Sequence, residues 1–263
     1  MFDHFFGAGG RIFDSAFIYN NGMGDKYLGK WMSSRGVQGE VIVIGKAAHT
    51  PHCEPKFIRP QIIESLERLQ TTKLDIFCLH RDNPEVPVSE FVDALTEVKN
   101  EGLIDLIGAS NWEFHRFSEA RDYASISGRE SFTVLSNNFS LAEMIEPVWP
   151  GCVGVTDQYL NYLIEEEVML FPWSSQARGF FIKQKEVMSS DHFSNPNLDE
   201  EIRVWHHEKN LKRRKACFDI AEEKNVQPIQ IALAYVLHKS HLIFPLIGPR
   251  TCLLYTSPSP RDH

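Results

Sequence analysis

The stretch VIVIGKAAHTPHCEPKFIRPQIIESLERLQTTKLDIFCLH, residues 41–80, holds one complete strand–helix–strand unit. In VIVIGKA (41–47) and DIFCLH (75–80) apolar residues follow one another without polar alternation, as in a strand covered on both faces within a parallel sheet. Between them RPQIIESLERLQTTK (59–73) repeats its apolar residues at helical spacing, and a crossover of this length is what two parallel strands need. Each strand ends on a titratable residue, Lys46 and His80.

The same pattern extends outward. Further strand candidates are RIFDSA (11–16), LIGASN (106–111), TVLSNNF (133–139), VMLFPWSS (168–175) and IFPLIG (243–248), which makes seven with the two above. Helical patterns separate them: DKYLGKWMSSRG (25–36), SEFVDALTEVKNEG (89–102), WEFHRFSEARDYAS (112–125), TDQYLNYLIEEE (156–167), KRRKACFDIAEEKN (212–225) and PIQIALAYVLHK (228–239). Such alternation leaves two architectures, a (β/α)8 barrel and a doubly wound open sheet. No G-x-G-x-x-G turn follows a strand, which removes the main support for the open sheet. Polar residues instead close several strands: Asp14, Lys46, His80, Ser110 with Asn111, and Ser174 with Ser175. In a barrel those carboxyl ends meet at one mouth. The predicted fold is therefore α/β, a (β/α)8 TIM barrel that is incomplete, with about seven strands and with the first strand and the last helix missing.

Both ends support that expectation. FDHFFGAGG (2–10) reads as the last turns of a helix with a glycine stop, and CLLYTSPSPRD (252–262) resembles a translated sequencing adapter. The predicted domain spans 1–251, followed by an artefactual or disordered tail at 252–263. As written, such a chain would leave an open seam of unpaired strand edges. The polar stretch MSSDHFSNPNLDEE (188–201) reads as a loop, a flap over the mouth.

The net charge of −8, with no long basic run, argues against nucleic acid as a partner. No apolar stretch approaches the length that crosses a bilayer, so no membrane is expected and the cytoplasm is the expected location. Five scattered cysteines do not make a disulfide scaffold. His49, His52 and Cys53 lie close together in HTPHC but lack a second ligand pair, so they read as a polar loop and no metal is assigned.

Singly, Asp14, Tyr19, Lys46 and His80 have ordinary explanations as a strand-end cap, an interfacial aromatic, a solvated terminus and a core histidine. At consecutive strand ends they form a chemical set. A phenol with pKa about 10 is a poor acid at neutral pH, and a neighbouring ammonium stabilises its phenolate. Lys46 could act so on Tyr19, Asp14 could hold Lys46, and His80 could hydrogen-bond a substrate oxygen. Phe17, Trp112 and Phe114 could wall an apolar pocket, although Trp112 suits helix packing equally well.

At this point the chain resembles the aldo-keto reductase superfamily. The likeness runs from about Phe2 to Thr251 through FDSAFIYNNGMGDKYLGKW, VIVIGKA, ESLERLQTTKLDIFCLHRD, ALTEVKNEGLIDLIGASNW, SNNFSLAE, FPWSSQARGFF and FPLIGPRT. It implies a barrel that binds NADP(H) and a small-molecule carbonyl substrate, with Asp14, Tyr19, Lys46 and His80 as catalytic residues and Tyr19 as general acid. It also implies that Ser110 and Asn111 hold the nicotinamide carboxamide. Trp173, Ser174, Ser175, Gln176 and Arg178 would follow the pyrophosphate, and Gly248 and Arg250 would begin the adenosine-phosphate stretch. The departures are Ser15 for the usual Thr, Asp25 for the usual Glu, and Ser136, Asn137 and Asn138 where a Gln is common. The implied activity is NAD(P)H-dependent reduction of an aldehyde or ketone. The alternative is a non-catalytic, cofactor-sensing regulatory subunit on the same fold. Oligomeric state is not assigned.

Overall fold

The computed structural model describes residues 1–182 and 196–248. They fall into two compact units, the first covering Met1–Ser136 and the second beginning at Asn137.

The first unit runs α1 (Phe2–Gly7), β1 (Ile12–Asp14), α2 (Met23–Arg35), β2 (Ile42–Ala47), α3 (Pro55–Leu69), β3 (Leu74–Leu79), α4 (Val88–Asn100), β4 (Ile104–Ala109), α5 (Phe114–Ser127) and β5 (Val134–Leu135). Its strands pair in sequence order, all parallel. Burial on both faces explains the apolar runs: Ile44, Phe77, Leu79 and Ile107 are all almost wholly enclosed.

Register carries the strand-end residues to one place. Asp14 pairs with Ile44, Lys46 with Cys78, and Cys78 with Gly108. Side chains along a strand repeat their face every second residue. Asp14, Lys46, His80 and Ser110 therefore share a face: Lys46 stands two residues beyond the partner of Asp14 and His80 two beyond the partner of Lys46, while His80 and Ser110 are level.

The helices fix that sheet by close contacts. A Cβ on Gly29 would lie 2.5 Å from the Arg68 carbonyl oxygen, so only glycine lets α2 approach α3 this closely. The approach brings Asp25, 1% exposed, to the hydroxyls of Ser15 and Ser65. Both donate to its carboxylate, Ser65 at 2.9 Å. Phe2 and Phe5 of α1 meet Phe13 of β1 edge-on at 5.8 and 5.3 Å. Asp3 holds the Trp31 indole at 2.8 Å and the Arg35 guanidinium at 2.7 Å.

The second unit contains α6 (Asp157–Glu165), β6 (Met169–Leu170), a short 3-10 turn (Ala177–Gly179), α7 (Pro196–Trp205), α8 (Glu208–Lys224) and α9 (Pro228–Leu237). Its core gathers Phe180, Phe181, Val204, Trp205, Cys217 and Ala232.

Two expectations need correction among the described residues. Six strands form, not seven: residues 243–248 make only the bridge Leu170↔Ile243. Leu170 donates to Leu242, Phe244 to Leu170 and Leu246 to Pro172, but Pro172 and Pro245 have no N–H to extend the ladder. The expected loop at 188–201 lies partly outside the described residues, and its end from Pro196 belongs to α7. Pro at the first helical position followed by acidic residues favours a helix start. The apolar residues Val204 and Trp205, which anchor α7, come only in its last turn.

Asp25→Ala would leave the Ser15 and Ser65 hydroxyls buried without an acceptor. The variant is expected to lose about 2–4 kcal/mol of stability in urea denaturation, and a loss within error would mean that the network contributes nothing.

Candidate active site

Tyr19 reaches the shared face through a turn. The sequence Tyr19-Asn20-Asn21-Gly22 takes positive φ at its last three residues, 50°, 53° and 81°, a region that Asn and Gly enter most readily. The Gly22 and Gly24 amides both donate to the Tyr19 carbonyl at 3.1 Å, and Phe17 N donates to Lys46 O at 2.7 Å. The turn is thereby tied to the end of β2. The Lys46 Nζ lies 5.1 Å from the Tyr19 ring centre, and the His80 ring meets the Tyr19 ring edge-on at 5.6 Å. Asp14, Tyr19, Lys46 and His80 are thus gathered at the carboxyl ends of β1, β2 and β3.

Lys46 is 3% exposed, ion-paired with Asp14, and donates to the Ser15 carbonyl at 3.1 Å. Burial works against its charge, but Asp14 and then Tyr19 outweigh burial and hold the ammonium above its ordinary pKa. Burial pushes the Asp14 carboxyl up against the pull of Lys46. Tyr19 is 39% exposed as a residue, yet desolvation around its phenol still raises it, and the opposing pull of Lys46 reduces that rise without reversing it. The expected Lys46 effect is present but smaller than desolvation, so the phenol keeps its proton at neutral pH. His80 goes the other way: burial, with Lys46, Arg81 and His49, holds it well below its ordinary value as a neutral imidazole.

Ser110 and Asn111 follow β4, 1% and 4% exposed. Ser110 Oγ donates to the Ser136 carbonyl at 2.7 Å, and Asn111 Nδ2 donates to Ser110 Oγ at 3.0 Å from a left-handed backbone with φ 61°. Ser136 Oγ and His80 Nδ1 are buried without a hydrogen-bond partner. Unmet polar atoms beside a fixed amide and an ammonium suit a polar ligand carrying its own donors and acceptors.

In the second unit the segment from Trp173 to Arg178 is sharply folded. Ser174, Ala177 and Arg178 have φ of 48°, 48° and 51°. Ser175 Oγ donates to the Leu246 carbonyl at 2.9 Å, and Trp173 Nε1 is buried without a partner. Gln176, with φ −111° and ψ 21°, leads into left-handed Ala177, a backbone succession that forms anion-binding concavities. This segment fits the phosphate-bearing ligand that the sequence implies. Arg178 is paired with Glu200 at 2.8 Å and lies over the Trp149 ring at 5.0 Å. Gly248 is exposed with open space around its Cα, and Arg250 lies outside the described residues.

Other sequence candidates fall elsewhere. Trp112 is fully buried between Phe91 and Phe132, at 5.6 and 5.4 Å, and is core instead of pocket wall. Cys53 donates to the Arg81 carbonyl at 3.1 Å and burial raises its thiol to about 12, so it is no ready metal ligand. No group of three His, Cys, Asp or Glu side chains is placed to hold a metal among the described residues. Two neighbours of the site were not assigned to it by sequence, which left Arg81 unread and took His49 as part of a polar loop. Arg81, 8% exposed, donates to the His80 carbonyl at 3.0 Å, and the His49 ring meets the His80 ring at 4.9 Å. The available signal for His49 was its place three residues beyond a strand-end lysine.

Comparison with known proteins gives a family model described as "Aldo/keto reductase family" matching residues 1–255. The chain is 26% identical to norsolorinic acid reductase B of Aspergillus parasiticus, over 100% of this chain and 69% of that protein. It is 24% identical to an aryl-alcohol dehydrogenase [NADP(+)] of Phanerodontia chrysosporium, covering 95% of this chain and 68% of the relative. Against the Emericella nidulans norsolorinic acid reductase it spans 64% of the relative's length. Among solved structures, a glycerol dehydrogenase of Gluconobacter oxydans superposes with TM-score 0.77 at 16% identity, over 97% of this chain and 77% of that one. An aldo-keto reductase from Klebsiella pneumoniae in complex with NADPH gives 0.68 at 17%, over 97% and 74%.

The depressed His80 pKa has a consequence for stability. As pH falls below 6.5 the unfolded chain takes up a proton that the folded imidazole refuses, so this contribution is complete above 6.5 and is lost towards the folded pKa. Between about pH 7 and about pH 5 the urea midpoint of the wild type is expected to fall more steeply than that of His80→Asn. Parallel slopes would show that His80 is not held neutral.

Proposed function

The chain belongs to the aldo/keto reductase family, and from that membership we propose that it reduces an aldehyde or ketone with NADP(H), Tyr19 delivering the proton. The observation that carries this reading is the buried Lys46–Asp14 pair beside a phenol that stays protonated and an imidazole that stays neutral. NADP(H), when bound, supplies the hydride for the carbonyl carbon. Tyr19 O–H hydrogen-bonds the carbonyl oxygen and passes its proton there as negative charge builds on that oxygen. Lys46 stabilises the phenolate left behind, and Asp14 keeps Lys46 charged and in place. His80, neutral, donates a hydrogen bond to the same oxygen and orients it without competing as an acid.

The cofactor assignments belong to the same proposal. Ser110 and Asn111 hold the nicotinamide carboxamide in the first unit. In the second, Trp173, Ser174, Ser175, Gln176 and Arg178 follow the pyrophosphate, and Gly248 and Arg250 approach the adenosine phosphate. Arg178 must then exchange Glu200 for phosphate. The NADP(H) preference rests on the relative named for NADP(+) and on the NADPH-bound fold neighbour. No helix among the described residues is long and apolar enough to cross a membrane. A cytoplasmic reductase of small carbonyl compounds is the whole of the proposed role.

Tyr19→Phe is expected to lower NADPH oxidation with a simple aldehyde by about 10²–10⁴-fold while leaving NADPH affinity, read by fluorescence titration, nearly unchanged. A loss below about tenfold would reject Tyr19 as proton donor. Lys46→Met removes the charge that draws the phenol down, so the basic limb of the pH–rate profile should move to higher pH. An unmoved limb would count against the Lys46 role.

A further inference from the structure

His49 occupies the loop between β2 and α3 and takes no part in the mechanism above. Its ring meets the His80 ring nearly perpendicularly at 4.9 Å, and His80 in turn meets Tyr19 at 5.6 Å. The three rings form a row that begins at the proton donor. Unlike His80, His49 is partly exposed, so a bound molecule can reach it.

The polar atoms of His49 are already divided in function. Nδ1 lies 2.9 Å from the Thr50 carbonyl oxygen, which can only accept, so Nδ1 carries the hydrogen. In the neutral ring the lone pair is then on Nε2, and Nε2 has no hydrogen-bond partner among the described residues. Burial, outweighing the Thr50 contact, holds the imidazole below its ordinary pKa, and Arg81 adds to that push. His49 is therefore an acceptor in a site whose other groups, Tyr19 and His80, donate.

Resting on the carbonyl-reducing reading, we propose that His49 determines specificity by accepting a hydrogen bond from a hydroxyl one or two bonds from the reacting carbonyl. Hydroxyl-bearing aldehydes and ketones are then the preferred substrate class. A polar site discriminates mainly against molecules that leave its groups unmet, so a methoxyl of similar inductive effect but without a donor is the telling control.

The test compares kcat/KM for 2-hydroxypropanal, 2-methoxypropanal and propanal in the wild type, His49→Phe and His49→Gln. The wild type is expected to favour hydroxyl over methoxyl by about fivefold or more. The preference should vanish in His49→Phe, which keeps a ring against His80, and persist in part in His49→Gln, whose carbonyl still accepts. No preference in the wild type, or one that survives in His49→Phe, overturns the proposal. A second readout needs no turnover and no variant: the His49 nitrogen-15 signals are followed as hydroxyacetone or methoxyacetone is added to the full chain with NADP+. Nε2 is expected to shift with hydroxyacetone alone, and its failure to do so overturns the proposal. Absence of turnover with all three aldehydes rejects the reductase reading, and the Nε2 shift then still decides the role of His49.

Discussion

An ammonium 3% exposed cannot persist without an opposite charge supplied by its own surroundings, and Lys46 meets that condition through Asp14 on the neighbouring strand. The pairing is a property of register: Asp14 stands opposite Ile44, so the carboxylate and the ammonium share a face two residues apart. The charge so maintained acts on both other members of the set. It draws down the proton affinity of Tyr19 and of His80, and in each case burial adds its own larger effect, upward for the phenol and downward for the imidazole. One cation and a low-polarity setting thus separate two titratable rings into a proton holder and a neutral dipole.

The backbone behind that cation is itself anchored. Lys46 donates to the Ser15 carbonyl, while the Ser15 hydroxyl joins Asp25 of α2, which also receives Ser65 of α3. Ser15 and Asp25 are two of the positions where this chain departs from the usual family residues. Here the two form a buried hydroxyl–carboxylate pair. Gly29 lets α2 and α3 come near enough for Asp25 to receive the Ser65 hydroxyl.

Much of this was legible in the sequence, for identifiable reasons. β2, β3 and β4 are six residues each and their last three residues are buried, so the ends of their apolar runs are easily found. Tyr19 was reached through its place after the first strand and through the family resemblance; the left-handed turn of Asn20, Asn21 and Gly22 that carries it was not read from the sequence. Residues 243–248 misled because hydrophobicity does not register the missing N–H of Pro245 and Pro172, and α7 was hidden because its apolar anchors come late. At Tyr19 the sequence displays the charge of Lys46, which does draw the phenol down, but not the desolvation that opposes it. His49 was read as part of a polar loop and not placed at the site, because ring contacts between loops and strands separated by a helix leave no periodic trace.

The pairing register divides the first unit into parts that tolerate change differently. A one-residue insertion within β1, β2 or β3 would turn Asp14, Lys46 or His80 to the opposite face. The loop holding His49 lies beyond the last ladder position of β2, where length and composition can vary without altering any strand pairing. Heritable variation is thereby channelled: under the roles proposed above, exchange of the segment between Ala48 and Glu54 alters recognition while Asp14, Lys46 and His80 keep their shared face.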